Sequence, residues 1–172
     1  MQEIWQSTVW KRIKEKESRA FEETVTELSE IYEEIDKRNI DLVGRPIEFV
    51  NTDADAVTFK FYNEKYSIVL DTSKVKTIAQ IKTTFIHEIG HCATGCTHHL
   101  DSSLDLIGQH EDRANRWAVE RFLPFKEMQH AMQAGLTESW QLAEYFDVSE
   151  KAIRWALSYY TENCGMSFNE AS

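Results

Sequence analysis

The chain has no surplus of positive charge: 19 lysines and arginines stand against 29 aspartates and glutamates, a formal net charge of -10 over 172 residues. Such a balance repels phosphate backbones and anionic headgroups, so non-specific nucleic-acid and membrane-surface binding are disfavoured and a protein or peptide partner is expected. There is also no uninterrupted apolar run of the roughly 18 residues that a membrane span needs. The opening MQEIWQSTVWKRIKEKES lacks a basic stretch followed by an apolar segment and a small-residue cleavage site, so no secretory signal is read there. Nor is there an even set of cysteines: Cys92, Cys96 and Cys164 cannot all pair within the chain, which suits a reducing compartment. These absences predict a cytoplasmic protein. What is present is apolar material for a core, 42% of the residues, enough for one compact unit or a domain with a small appendage.

Periodicity gives the order of elements. Phe21, Val25, Leu28, Tyr32 and Ile35 recur at three and four with acidic residues between them, which predicts a long amphipathic helix over about residues 3–37. The period then shortens. Val57, Phe59 and Phe61 alternate with Thr58, Lys60 and Tyr62, and YSIVLD follows after the turn-like Asn63-Glu64-Lys65, so a hairpin in a small antiparallel sheet is expected. After Asp71 the helical period returns. Thr77 with Gln80 three residues later has the form of a capping box; Ile78, Ile81, Phe85 and Ile89 mark an apolar stripe, and Gly95 supplies a stop. Pattern alone gives an α+β fold.

Late in that helix stands HEIGH, from His87 to His91. At about 3.6 residues per turn, the two imidazoles project from one face a turn apart, near enough to share one metal ion. Glu88 is rotated by roughly 100° from His87, so it flanks the ion and can take a proton from a water there as general base. Two neutral imidazoles suit Zn²⁺; a catalytic site adds a third protein ligand and keeps a fourth position open for water. The bland alternative is a pair of half-buried polar residues near a helix end.

Three candidates compete for the third ligand. GQHEDRANRWAVERFLP reads as a helix opened after Gly108 and closed before Pro124, with Glu111, Ala114, Ala118 and Phe122 along one face. Small side chains at Ala114 and Ala118 would let it approach the HEIGH helix and deliver the Glu111 carboxylate. His98 nearly completes the longer H-E-x-x-H-x-x-G-x-x-H pattern, but Gly95 and His98 each fall one residue late. Cys92, Cys96 and His98 form a possible separate cluster, against which stands a pair of cysteines packed at a helix end. His98, His99 and His110 are also near enough in sequence to serve as oxyanion donors, and none is singled out.

HEIGH, with E-x-x-A-N at Glu111–Asn115 twenty residues on and W-A-x-x-x-F-L-P at Trp117–Pro124, resembles the ImmA/IrrE family of zinc metallopeptidases over about residues 40–160. YSIVLD and the later LAEYFDVS also fit that layout. The resemblance implies a zincin-like α+β fold, zinc ligands His87, His91 and Glu111, a catalytic Glu88 and a gluzincin-like endopeptidase. It further implies, as substrate, a helix-turn-helix repressor of a phage or mobile element. Trp117, where the family commonly has phenylalanine, and the long N-terminal helix depart from the pattern. A substrate strand is expected to add to the sheet edge at Tyr66, Ile68 and Leu70.

LTESWQLAEYFDVSEKAIRWALSYY outlines two short helices joined at Phe146-Asp147-Val148, with Ser149 as N-cap, a helix-turn-helix form. Residues 136–160 carry Glu138, Glu144, Asp147 and Glu150 against Lys151 and Arg154. That leaves few groups for phosphates or base edges, so packing on the core or docking of a protein is expected in place of DNA reading. The division expected is a metallopeptidase core over 1–124 and a helical part over 125–172 packed on it. The competing function is a non-catalytic, zinc-containing regulator that binds a repressor without cutting it, against which Glu88 stands, since a structural zinc site has no use for that carboxylate.

Overall fold

The computed structural model describes residues 28–45, 54–62, 65–96 and 103–168. Helix α1 (Ser29–Lys37) leads into strand β1 (Ile40–Arg45), followed by β2 (Ala56–Lys60) and β3 (Tyr66–Asp71). Helices α2 (Ile78–Thr94), α3 (Leu104–Phe122), α4 (Phe125–Gln133), α5 (Ser139–Phe146) and α6 (Glu150–Ser158) complete the order, with a π-helical turn at Tyr159–Asn163. The fold is α+β, as the periodicity predicts. The span predicted as a long N-terminal helix is described only from residue 28, where α1 forms; Phe21 and Val25 lie outside the described residues. Leu28, Ile31 and Ile35 bury the inner face of α1, and buried Glu34 ties it to α3 through Arg121 at 3.0 Å while also pairing with Arg38. Arg38 in turn lies over the Trp117 ring, 4.9 Å from its centroid.

The sheet corrects one expectation. Its order is β1-β3-β2, with β2 antiparallel to β3 and β1 parallel to it, so the sheet is mixed. The β2–β3 hairpin follows from its short turn, whereas a parallel partner carries no local turn signal. Strand β1 also lies directly after a helix, with a glycine and an arginine diluting its apolar run IDLVGR. Central placement explains YSIVLD: every residue of β3 after Tyr66 is buried, the mark of a strand covered on both faces. It also overturns the edge role expected of Tyr66, Ile68 and Leu70. Both sides of β3 are already paired, leaving no backbone row for an added strand, and Ile68 and Leu70 sit in the core. The strand with an open side next to α2 is β2. Phe61 N donates to Lys65 O and Asp71 N to Asp55 O, so the odd positions of β2 face β3 and the backbone groups of Ala56 and Thr58 face away from it.

Helix α2 starts where its capping box requires. Thr77 Oγ1 accepts from Gln80 N at 3.2 Å and Gln80 Oε1 accepts from Thr77 N at 3.1 Å. Its end is Gly95, whose φ of 65° is the left-handed conformation that glycine adopts without strain. Helix α3 begins earlier than Gly108 suggests: Ser103 caps it by accepting from Leu106 N at 3.4 Å, and the helix runs through the glycine. The two helices cross in direct backbone contact. A Cβ placed on Gly90 would press into the Ala114 carbonyl, and Ala114 and Ala118 are buried at the crossing.

One cluster of buried side chains runs from Leu28 to Phe168 and draws on residues both before and after position 124. Helices α5 and α6 are joined at Asp147, which takes φ 51°, and Ser149 Oγ caps α6 by accepting from Ala152 N at 3.3 Å. Among the described residues no helix is long and apolar enough to cross a membrane.

Candidate metal centre

The contact between α2 and α3 decides what meets in the cleft. With Gly90 against Ala114, the turn of α3 before Ala114 lies beside the last turns of α2, and Glu111 reaches both histidines. Its Oε2 is 3.2 Å from His87 Nε2 and its Oε1 is 3.4 Å from His91 Nε2, while the two Nε2 atoms are 3.1 Å apart. A tetrahedral ion about 2.0–2.1 Å from nitrogen and oxygen donors spaces them by about 3.3 Å, close to the separation of the two imidazole nitrogens, and the carboxylate turns one oxygen to each ring.

The far side of each ring fixes its tautomer. His87 Nδ1 lies 2.8 Å from Asn115 Oδ1 and His91 Nδ1 lies 2.8 Å from the Cys96 carbonyl. A carbonyl can only accept, so the Nδ1 atoms carry the hydrogens and both Nε2 lone pairs converge on the Glu111 carboxylate. Three acceptors facing one another need a cation. Burial works against a charged His87, but hydrogen bonding to Glu111, the charge of Glu88 and the Asn115 contact outweigh it and raise its pKa above 6.5. In the metal-free chain a proton taken up at Nε2 lets His87 and His91 donate to Glu111, and those hydrogen bonds hold its carboxyl well below the usual carboxylate range. The field that recruits a proton here equally favours a metal ion. His87, His91 and Glu111 are the one such group of possible ligands among the described residues.

Glu88 is buried beside this group and takes no part in it. Thr58 Oγ1, on edge strand β2, donates to Glu88 Oε2 at 2.5 Å. One turn further along α2, burial and then the charge of Glu88 push the Cys92 thiol up to about 12, so it is a neutral, packed side chain, and it is not among the residues whose ligand atoms converge. Cys96 contributes its carbonyl to His91 and turns its thiol to the Thr94 carbonyl at 3.6 Å. His98 and His99 lie outside the described residues; His110 is on α3, apart from the cavity lining.

A cavity of about 530 Å³ opens in front of the centre, lined by His87, Glu88, Glu111 and Asn115 on one side. Tyr66, Ile68 and Leu70 do not line it. Its opposite side is α6, through Ser149, Lys151, Ala152 and Trp155, so the second helix of the helix-turn-helix outline faces the cleft. Thr58 and this α6 wall were not singled out by the sequence, and Asn115 entered only as the last position of E-x-x-A-N, with no role given. Asn115 had a signal, since it stands four residues after Glu111 and therefore on the same helix face. Thr58 reads as the solvent phase of an alternating strand, and only the fold turns that phase towards α2.

No curated protein and no solved structure matches the chain. A family model does, over residues 36–158, which takes in α2, α3, the three converging ligands, Glu88 and the α6 wall; it describes the IrrE N-terminal-like domain of a peptidase family. The chain belongs to that metallopeptidase family.

Proposed function

We propose that the protein is a zinc-dependent endopeptidase that hydrolyses a peptide bond in a specific protein substrate, with His87, His91 and Glu111 as ligands and Glu88 as general base. The observation that carries this reading is the convergence of the His87 and His91 Nε2 atoms, 3.1 Å apart, on the Glu111 carboxylate, whose two oxygens lie 3.2 and 3.4 Å from them, beside a cavity and flanked by a second carboxylate. Structural zinc sites close the fourth position with another protein ligand; this one faces open space. Two imidazole nitrogens and a carboxylate oxygen suit zinc over softer or harder ions.

Bound there, the ion would polarise the scissile carbonyl and acidify a water molecule. Glu88 takes a proton from that water as the water oxygen bonds to the carbonyl carbon. It returns the proton to the amine nitrogen as the C–N bond breaks, and is left ionised for the next cycle. The Thr58 hydroxyl occupies Oε2, which leaves Oε1 for this work. Substrate backbone adds along β2, whose Ala56 and Thr58 groups face away from β3.

Likeness to ImmA/IrrE peptidases supports a helix-turn-helix transcriptional repressor as substrate, cut in the cytoplasm, where the free cysteines Cys92, Cys96 and Cys164 are chemically at home. The deciding experiment co-expresses the wild type, or Glu88→Gln, with the repressor encoded beside it and follows the repressor's mass. Defined fragments with wild type, none with Glu88→Gln and equal zinc in both are expected. A repressor left whole by the zinc-loaded wild type would instead favour a regulator that binds without cutting.

A further inference from the structure

The cavity is larger than the reacting peptide group needs. At about 530 Å³ it falls within the roughly 300–1,000 Å³ of side-chain and ligand pockets, and much of it lies beyond the three ligands, towards α6. Its floor there is apolar: Ala118 and Val119 of α3 and Leu123 just past its end, with Trp155 as a wall. That wall is fixed. Ser149 N donates to Thr83 Oγ1 at 2.7 Å and Lys82 Nζ to the Phe146 carbonyl at 2.8 Å, clamping the start of α6 to α2. Trp155 stacks on Tyr159 with centroids 5.5 Å apart, and the Tyr159 hydroxyl bonds Glu120 on α3.

The charges around the cavity are unequal. Asp55, Glu88 and Glu111 are acidic, and Lys151, exposed at the first turn of α6, is the one lysine or arginine in the lining. No carboxylate pairs with it among the described residues. A fixed apolar slot with a single free cation at its rim has the chemistry of a specificity subsite.

The geometry points to α6 as the substrate-selecting wall of the cleft: a bulky apolar side chain packs against Val119, Leu123 and Trp155, and Lys151 pairs with a carboxylate on the adjoining part of the same peptide. This deepens the endopeptidase reading and rests on it. The carboxylate is that of an acidic side chain or of a chain terminus, and the test separates the two.

The test uses the full chain, zinc-loaded and carrying Glu88→Gln so that bound peptides persist. The probes are labelled synthetic peptides that vary one position (Leu, Phe, Ala or Ser), one neighbouring position (Glu, Gln or Lys) and the C-terminus (free acid or amide), with Kd read by anisotropy. Leu and Phe peptides are expected to bind about tenfold or more tighter than Ser peptides, and Trp155→Ala to cut that ratio below about threefold. Trp155→Leu keeps an apolar wall and should retain the preference, which guards against a misfolded variant. Lys151→Glu should reverse the order of Glu and Lys peptides; loss of affinity on amidation alone would assign the carboxylate to the terminus. An unchanged ranking in Trp155→Ala and Lys151→Glu at wild-type zinc content overturns the proposal, as does a wild type that ranks no peptide. Correct ranking with no cleavage once Glu88 is restored would leave the subsite standing and remove the peptidase reading.

Discussion

The proposed metal ligands and the proposed general base are held by two differently built parts of the molecule. His87, His91 and Glu111 stand at the α2–α3 crossing, where backbone touches backbone at Gly90 and Ala114 and each imidazole has a second partner behind it. Glu88 is aligned from the sheet by one hydroxyl, that of Thr58. Ligand geometry is therefore set redundantly by packing, while the base has a single side-chain hydrogen bond among the described residues. Metal capture and catalysis should be separable by mutation.

The largest effect should come from Gly90→Ala, which forces the two helices apart. Overpacking of this kind costs about 1–3 kcal/mol, and with backbone as the obstructing group zinc content should fall along with the urea midpoint. Retained zinc at a lowered midpoint would show that the ligand set does not depend on the crossing. Asn115→Ala removes the acceptor behind His87 and should weaken zinc binding by about 10–100-fold in a competitive chelator titration, with little change in fold. Thr58→Val is the converse. Zinc affinity should stay at the wild-type value while kcat drops roughly tenfold, the worth of one hydrogen bond to a charged group, and Thr58→Ser should recover it. A Thr58→Val chain that loses zinc would merge the two regions into one.

The smallest effect is one of pH in the zinc-free chain. Glu111 is held below its ordinary 4.5, so it contributes stability that is present above pH 4.5 and fades as the pH falls below it. His87 is raised above its ordinary 6.5, so its contribution is complete below pH 6.5 and is lost as the pH rises through the elevated value. The pair is thus fully expressed between pH 4.5 and 6.5. Calorimetry should show the zinc-free Tm declining above that window while the Tm gain on adding zinc grows, because the ion replaces the departing proton. A zinc gain that is flat with pH would mean that His87 is not a ligand.

What could be read in the sequence was whatever depends on local spacing. Helix α2, its capping box, its glycine stop and the shared face of His87 and His91 all follow from intervals of three and four residues. Small residues at Ala114 and Ala118 foretold the close approach of α3, which carries Glu111 to the histidines. The sheet was read less well. The hairpin announced itself through its turn, but β1 joins β3 in parallel across some twenty intervening residues, and nothing in either segment names the other. That one unseen pairing moved β3 from the edge to the centre and transferred the open edge to β2. Thr58 and the α6 wall were hidden for the same reason, since their functions arise from neighbours distant in sequence: Glu88 for the first, and α2 and α3 for the second.

The stop signal of α2 has a further meaning for how this sequence can drift. The partner behind His91 is the main-chain carbonyl of residue 96, brought into place by the left-handed turn at Gly95. Position 96 is thus free to exchange its side chain for others that its buried setting can hold, because the group that orients the ligand is common to all amino acids. The constraint passes to position 95, where any side chain must adopt a left-handed backbone at a cost of about 1–2 kcal/mol. In descendants of this chain the glycine should persist and the cysteine after it should wander.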